Sequence, residues 1–141
     1  MTKKNKELHP LKTLHKEAVK VLKNAYSPYS KKRVGSALVT EKGHIFSGCN
    51  IENASYGGTV CAERVAIFKA VSESAMKQIR HIVVVTEEKK PWTPCGFCRQ
   101  VIAEFGHPTN TQIHIANREK IVETFSLGEL LPEAFHKSDL K

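Results

Sequence analysis

Leu11, Leu14, Ala18, Val21, Leu22 and Ala25 return every three or four residues, the spacing of one face of a helix. They predict a first helix that packs on a sheet and ends near Tyr26, just before Ser27-Pro28. Lys12, Lys16, Lys20 and Lys23 recur at a similar period, as on the wet face of that helix. Residues 34–40 and 44–49, rich in Val, Ile and Phe, predict a hairpin around Glu41-Lys42-Gly43-His44. Asn50 to Thr59 contains two glycines and reads as a loop.

From about Cys61 to Ala75 the chain lacks internal Gly and Pro, and Val65, Ile67, Phe68 and Val71 supply an apolar stripe, which predicts a second helix. Residues 80–86 form a β-branched run typical of a buried strand. After the Pro91–Pro94 loop, Cys95 to Phe105 predicts a third helix, ended by Gly106 and Pro108. Residues 111–116 and 120–125 read as two further strands, and Leu127 to Phe135 contains a short helical turn ending at Pro132. No repeat, low-complexity tract or linker interrupts this order, so the reading is one α/β domain with helices covering a sheet.

At 141 residues the chain suits one domain that buries roughly two thirds of its unfolded surface. A hydrophobic share of 40% with 26% charged residues excludes fibrous and disordered classes. The longest clear apolar run, Ile82 to Val85, is far too short to span a bilayer. The start, Met1-Thr2-Lys3-Lys4-Asn5-Lys6-Glu7, lacks an apolar signal core, so neither export nor a membrane partner is expected, and the cytoplasm is the expected location. The net charge of +8 changes little once located: residues 1–33 carry ten Lys/Arg against two Asp/Glu, and the remainder carries twelve of each. This reads as a solvated helix face plus a loose terminus, without a nucleic-acid partner; weak polyanion contact is the alternative. None of the seven histidines sits at a ligand position, and all are expected on the surface or in loops.

Four cysteines without a secretion signal, two of them spaced C-x-x-C, favour metal or redox chemistry over disulfides. Cys61 and Glu63 open the second predicted helix, and Cys95 and Cys98 open the third. A helix N-terminus lowers thiol pKa and favours the thiolate that binds zinc, so two neighbouring helix starts could clasp one ion. Three thiolates leave the fourth tetrahedral position open, as in a catalytic site. Arg64, three residues after Cys61, is placed to donate hydrogen bonds to the sulfurs and offset their charge. On the cysteines alone, a redox pair, half of a zinc ribbon, or a closed four-cysteine site including Cys49 remain open.

The longer context narrows this. Tyr26-Ser27-Pro28-Tyr29-Ser30, Val34-Gly35, Gly48-Cys49-Asn50-Ile51-Glu52-Asn53-Ala54-Ser55-Tyr56, Cys61-Ala62-Glu63-Arg64, Pro94-Cys95-Gly96-Phe97-Cys98-Arg99-Gln100 and Leu130-Leu131-Pro132 together resemble the small, homotetrameric, zinc-dependent cytidine deaminases. The resemblance implies a three-layer α/β/α sandwich with a five-stranded mixed sheet over residues 11–135, flanked by a basic tail (1–10) and a C-terminal tail (136–141). It implies one Zn²⁺ per chain on Cys61, Cys95 and Cys98, and Glu63 as the catalytic residue, moving protons from water to N3 and then to the leaving amine. It assigns Asn50, Ile51 and Glu52 to the nucleoside, with Asn50 and Glu52 on the ribose hydroxyls, and the Ala62 backbone to the pyrimidine. Tyr56 and Phe135 would reach a neighbouring subunit's site, and Cys49 would be a buried strand-end residue.

The implied reaction is hydrolytic deamination of cytidine and 2′-deoxycytidine to uridine and 2′-deoxyuridine plus ammonia. Deamination of an N4-substituted cytidine or blasticidin S, and a nucleic-acid-directed activity, are the alternatives. One departure stands out. Lys32 occupies a position where the family usually carries a Phe against the pyrimidine, which leaves Trp92 and Phe135 as the aromatic residues able to cover that face. Trp92 itself reads equally as loop packing or as a pocket wall.

Overall fold

The computed structural model describes residues 3–140, with side chains from residue 10 onward. The elements are α1 (Lys3–Val21), β1 (Val34–Thr40), β2 (Ile45–Cys49), α2 (Ala62–Ser74), β3 (Ile79–Thr86), α3 (Gly96–Phe105), β4 (Gln112–Ala116), β5 (Ile121–Ser126) and α4 (Leu127–Leu130). The first helix ends earlier than its period predicts, because Leu22–Asn24 tightens into a 3₁₀ turn. The sheet order is β2-β1-β3-β4-β5, with β3 and β4 parallel and every other pair antiparallel.

Side-chain alternation divides this sheet into two cores. On one face, Ala37, Val39, Val83, Val85 and Ala116 pack with Leu14, Ala18 and Leu22 from α1 and the turn after it. On the other, Leu38, Ile82, Ile113 and Ile115 pack with Ala66, Ile67 and Ala70 of α2 and Ile102 and Ala103 of α3. The result is the expected three-layer sandwich. Lys12, Lys16 and Lys20 lie exposed on α1, and Lys23 lies exposed on the 3₁₀ turn that follows it. Among the described residues no helix is long and apolar enough to cross a membrane.

The stripe expected on α2 only partly matches the face that it buries, sharing Ile67 with it. Ala62, Glu63, Ala66, Ile67 and Ala70 turn inward, whereas Phe68 is 50% and Val71 38% exposed. The cause is close approach: a Cβ on Gly48 of β2 would lie 2.5 Å from the Ala66 nitrogen and 2.8 Å from the Ala62 oxygen. Only small side chains fit between a helix and a strand so near each other, so size outweighs hydrophobicity in choosing the face.

A second correction concerns His114, which is buried in β4 rather than lying on the surface or in a loop. Its Nε2 lies 3.1 Å from His81 Nδ1, and its Nδ1 lies 2.9 Å from Thr124 Oγ1. Burial, reinforced by neighbouring His81, holds its pKa down at about 4. The folded value is below the ordinary one of about 6.5, so as pH falls the unfolded chain takes the proton first. Stability is therefore lost progressively from about pH 6.5 to about pH 4, by up to about 3 kcal/mol. His114→Gln should flatten that part of the profile relative to the parent in denaturant titrations at pH 7, 5.5 and 4.5. Parallel profiles for the two proteins would contradict it.

Candidate active site

The sheet places its chemistry at the C-terminal end of β3, where open α/β sheets bind ligands. Cys61 is the N-cap of α2 and Cys95 the N-cap of α3, both extended in backbone conformation. Cys98, in the first turn of α3, donates its N–H to Cys95 Sγ at 3.4 Å. The three sulfurs lie within 4.8 Å of one another, and Cys49 is not among them. At a Zn–S distance of about 2.3 Å, tetrahedral geometry puts two sulfurs about 3.8 Å apart. Three soft donors so spaced, on two helix N-termini, fit zinc.

Electrostatics prepare the anion. A hydrogen bond from Cys98, with Arg64 assisting, pulls Cys61 down to about 5 against the effect of burial, while the same contact and burial push Cys98 up. Arg64 donates from a terminal nitrogen to Cys61 Sγ at 3.8 Å and to Thr59 O at 3.1 Å. Its guanidinium carbon sits 4.5 Å from the Phe97 ring centroid. Glu63, in the first turn of α2, is only 4% exposed. Burial, with the negative charge of Cys61, pushes its carboxyl up to about 7.

Glu63 shares a cavity of about 200 Å³ with Cys61, Cys95, Asn50, Thr86 and Trp92, so Trp92 is a wall of this cavity. Asn50 braces the opening: its Oδ1 accepts from Val34 N at 2.9 Å and its Nδ2 donates to Lys32 O at 2.9 Å. Lys32 is absent from the cavity lining; its Nζ pairs with Glu88 and lies 6.0 Å from the Trp92 ring centroid. Ala62 is fully buried, whereas Ile51 is 45% exposed and joins Val60 and Tyr26 through backbone bridges.

The remaining expected contacts stand apart from the cavity in this chain. Glu52 lines a neighbouring recess with Tyr29 and Tyr56. Its carboxylate accepts from Tyr29 N at 2.9 Å and from the Ser30 hydroxyl and N–H, which hold it below the usual carboxylate range. Tyr56 is 75% and Phe135 59% exposed. Thr86 had no signal in the sequence beyond its place at the end of a β-branched run, since its cavity contact depends on strand order.

Residues 9–114 match the family described as the cytidine and deoxycytidylate deaminase zinc-binding region. The chain is 46% identical over 127 residues to a cytidine deaminase of Halalkalibacterium halodurans, covering 90% of this chain and 95% of that one. It is similar to the crystal structure of cytidine deaminase from Burkholderia pseudomallei, with TM-score 0.81, 45% identity and coverage of 87% and 97%. The Mycobacterium tuberculosis cytidine deaminase structure aligns with TM-score 0.77 and 34% identity over 89% of this chain and 96% of that one. A sulfur triad on two helix starts, a buried carboxyl beside it, and relatedness along most of the chain agree: this chain belongs to the zinc-binding cytidine and deoxycytidylate deaminase family.

Proposed function

We propose that this enzyme hydrolyses cytidine and 2′-deoxycytidine to the corresponding uridines and ammonia. The observation that carries this reading is a cluster of three cysteine sulfurs, two of which, on Cys61 and Cys95, line one cavity together with Glu63. Cys61, Cys95 and Cys98 would hold a zinc ion, which when bound lowers the pKa of a water for attack on an electrophilic carbon. Glu63 takes a proton from the attacking water as oxygen adds to C4 of the pyrimidine, and delivers it to N3. The carboxylate then takes the remaining proton from the new C4 hydroxyl and passes it to the amino group, and the C–N bond breaks to release ammonia as C4–O becomes the carbonyl. A carboxyl with a pKa near neutrality suits both halves of this exchange.

Asn50 and Glu52 serve the ribose hydroxyls, Ile51 lies between them in the same segment, and the Ala62 backbone faces the pyrimidine. Trp92 supplies an aromatic wall where Lys32 cannot. The exposure of Tyr56 and Phe135 supports a homotetramer in which each reaches a neighbour's site. Ammonia release should be measured from cytidine, 2′-deoxycytidine, blasticidin S and a short single-stranded oligonucleotide. Turnover of the two nucleosides well above the others is expected; preference for blasticidin S or the oligonucleotide would overturn the assignment.

A further inference from the structure

We propose that Thr86 is a substrate-binding residue whose hydroxyl hydrogen-bonds the nucleoside in the cavity; this rests on the deaminase reading above. Thr86 closes β3 after Val83, Val84 and Val85, and lies opposite Val34 on β1. It is 2% exposed, and its Oγ1 has no hydrogen-bond partner among the described residues. At such a position valine would satisfy both the strand and the burial, whereas a hydroxyl without a partner is costly.

Each of the other amide and hydroxyl groups lining the cavity already makes at least one hydrogen bond within the protein. Asn50 clamps the backbone at Lys32 and Val34. The Thr59 hydroxyl accepts from Asn53 N, and the Thr93 hydroxyl accepts from Arg99. Thr86 is the exception, and it lines the same cavity as Glu63, Cys61 and Cys95. A nucleoside carries a ring carbonyl and sugar hydroxyls, and a threonine hydroxyl can donate to the first or bond the second in either direction. The unmet bond in the free protein is then met in the complex.

Thr86→Val keeps the shape and removes the hydroxyl. Its melting temperature should equal or exceed that of the parent, because an unmet polar group is lost. Its KM for cytidine should rise roughly tenfold with kcat within about threefold, since the contact would be made alike in the ground and transition states. Thr86→Ser should stay within about threefold of the parent KM, because it retains the hydroxyl. A rise confined to cytidine and absent with 2′-deoxycytidine would place the bond on the 2′-hydroxyl; a rise with both would place it elsewhere on the nucleoside.

A KM for Thr86→Val within twofold of an active parent would overturn the role of Thr86 and leave the deaminase reading standing. A clear fall in melting temperature would also overturn it, by showing that the hydroxyl serves the fold. A parent protein that holds zinc but releases no ammonia from cytidine would refute the deaminase reading, and this proposal with it.

Discussion

Cys95→Ala should abolish zinc binding and activity together, whereas Cys49→Ser should keep both. Cys49 ends β2, is 8% exposed and has its thiol pushed up by burial, so it behaves as a small buried residue. The other three sulfurs gather within 4.8 Å of one another at two helix starts. Elemental analysis should find about one zinc per chain in the parent and in Cys49→Ser. In Cys95→Ala the metal should be largely lost, and ammonia release should drop at least about 10³-fold, since a water of pKa about 15.7 replaces one of about 7. Loss of zinc from a folded Cys49→Ser protein would point to a closed four-cysteine site and sink the catalytic reading.

The parts of this molecule that could be read in its sequence are those fixed by local pattern. The hairpin of β1 and β2, the β-branched run of β3 and the helix from Gly96 to Phe105 fall within a residue or so of where period and breakers put them. The cysteines were legible for a similar reason, because a thiol at a helix start carries its chemistry with it. What escaped depends on partners distant in sequence. The burial of Ala62, Ala66 and Ala70 in preference to Phe68 follows from how closely α2 crosses Gly48, which no periodicity encodes. His114 reads as an ordinary polar position until β4 is flanked by β3 and β5, which bring His81 and Thr124 onto its ring. Thr86 likewise becomes a cavity residue only when β1, α2 and the loop carrying Trp92 meet at its end of the sheet.

Glu63→Gln should retain about one zinc per chain yet lose activity by about 10²–10⁴-fold. Glutamine matches the volume of glutamate and keeps a carbonyl oxygen, so the packing at this 4% exposed position on α2 is preserved. Glutamate is not among the three sulfur donors, so the metal should remain. What the amide cannot do is take a proton from water and return it to the ring and the leaving amine. The side chain it replaces is held at about 7 by burial and by the charge of Cys61, near the value that maximises exchange at neutral pH. Because the lost interaction belongs to the transition state, kcat should carry nearly all of the loss and KM should change little. Replacing a buried carboxyl by a neutral amide also removes the cost of ionising it there, so the melting temperature should equal or exceed that of the parent. Zinc content, melting temperature and steady-state kinetics on cytidine test these together. A zinc-loaded, folded Glu63→Gln protein with kcat within threefold of the parent would remove Glu63 from the proton path, and with it the mechanism proposed for this site.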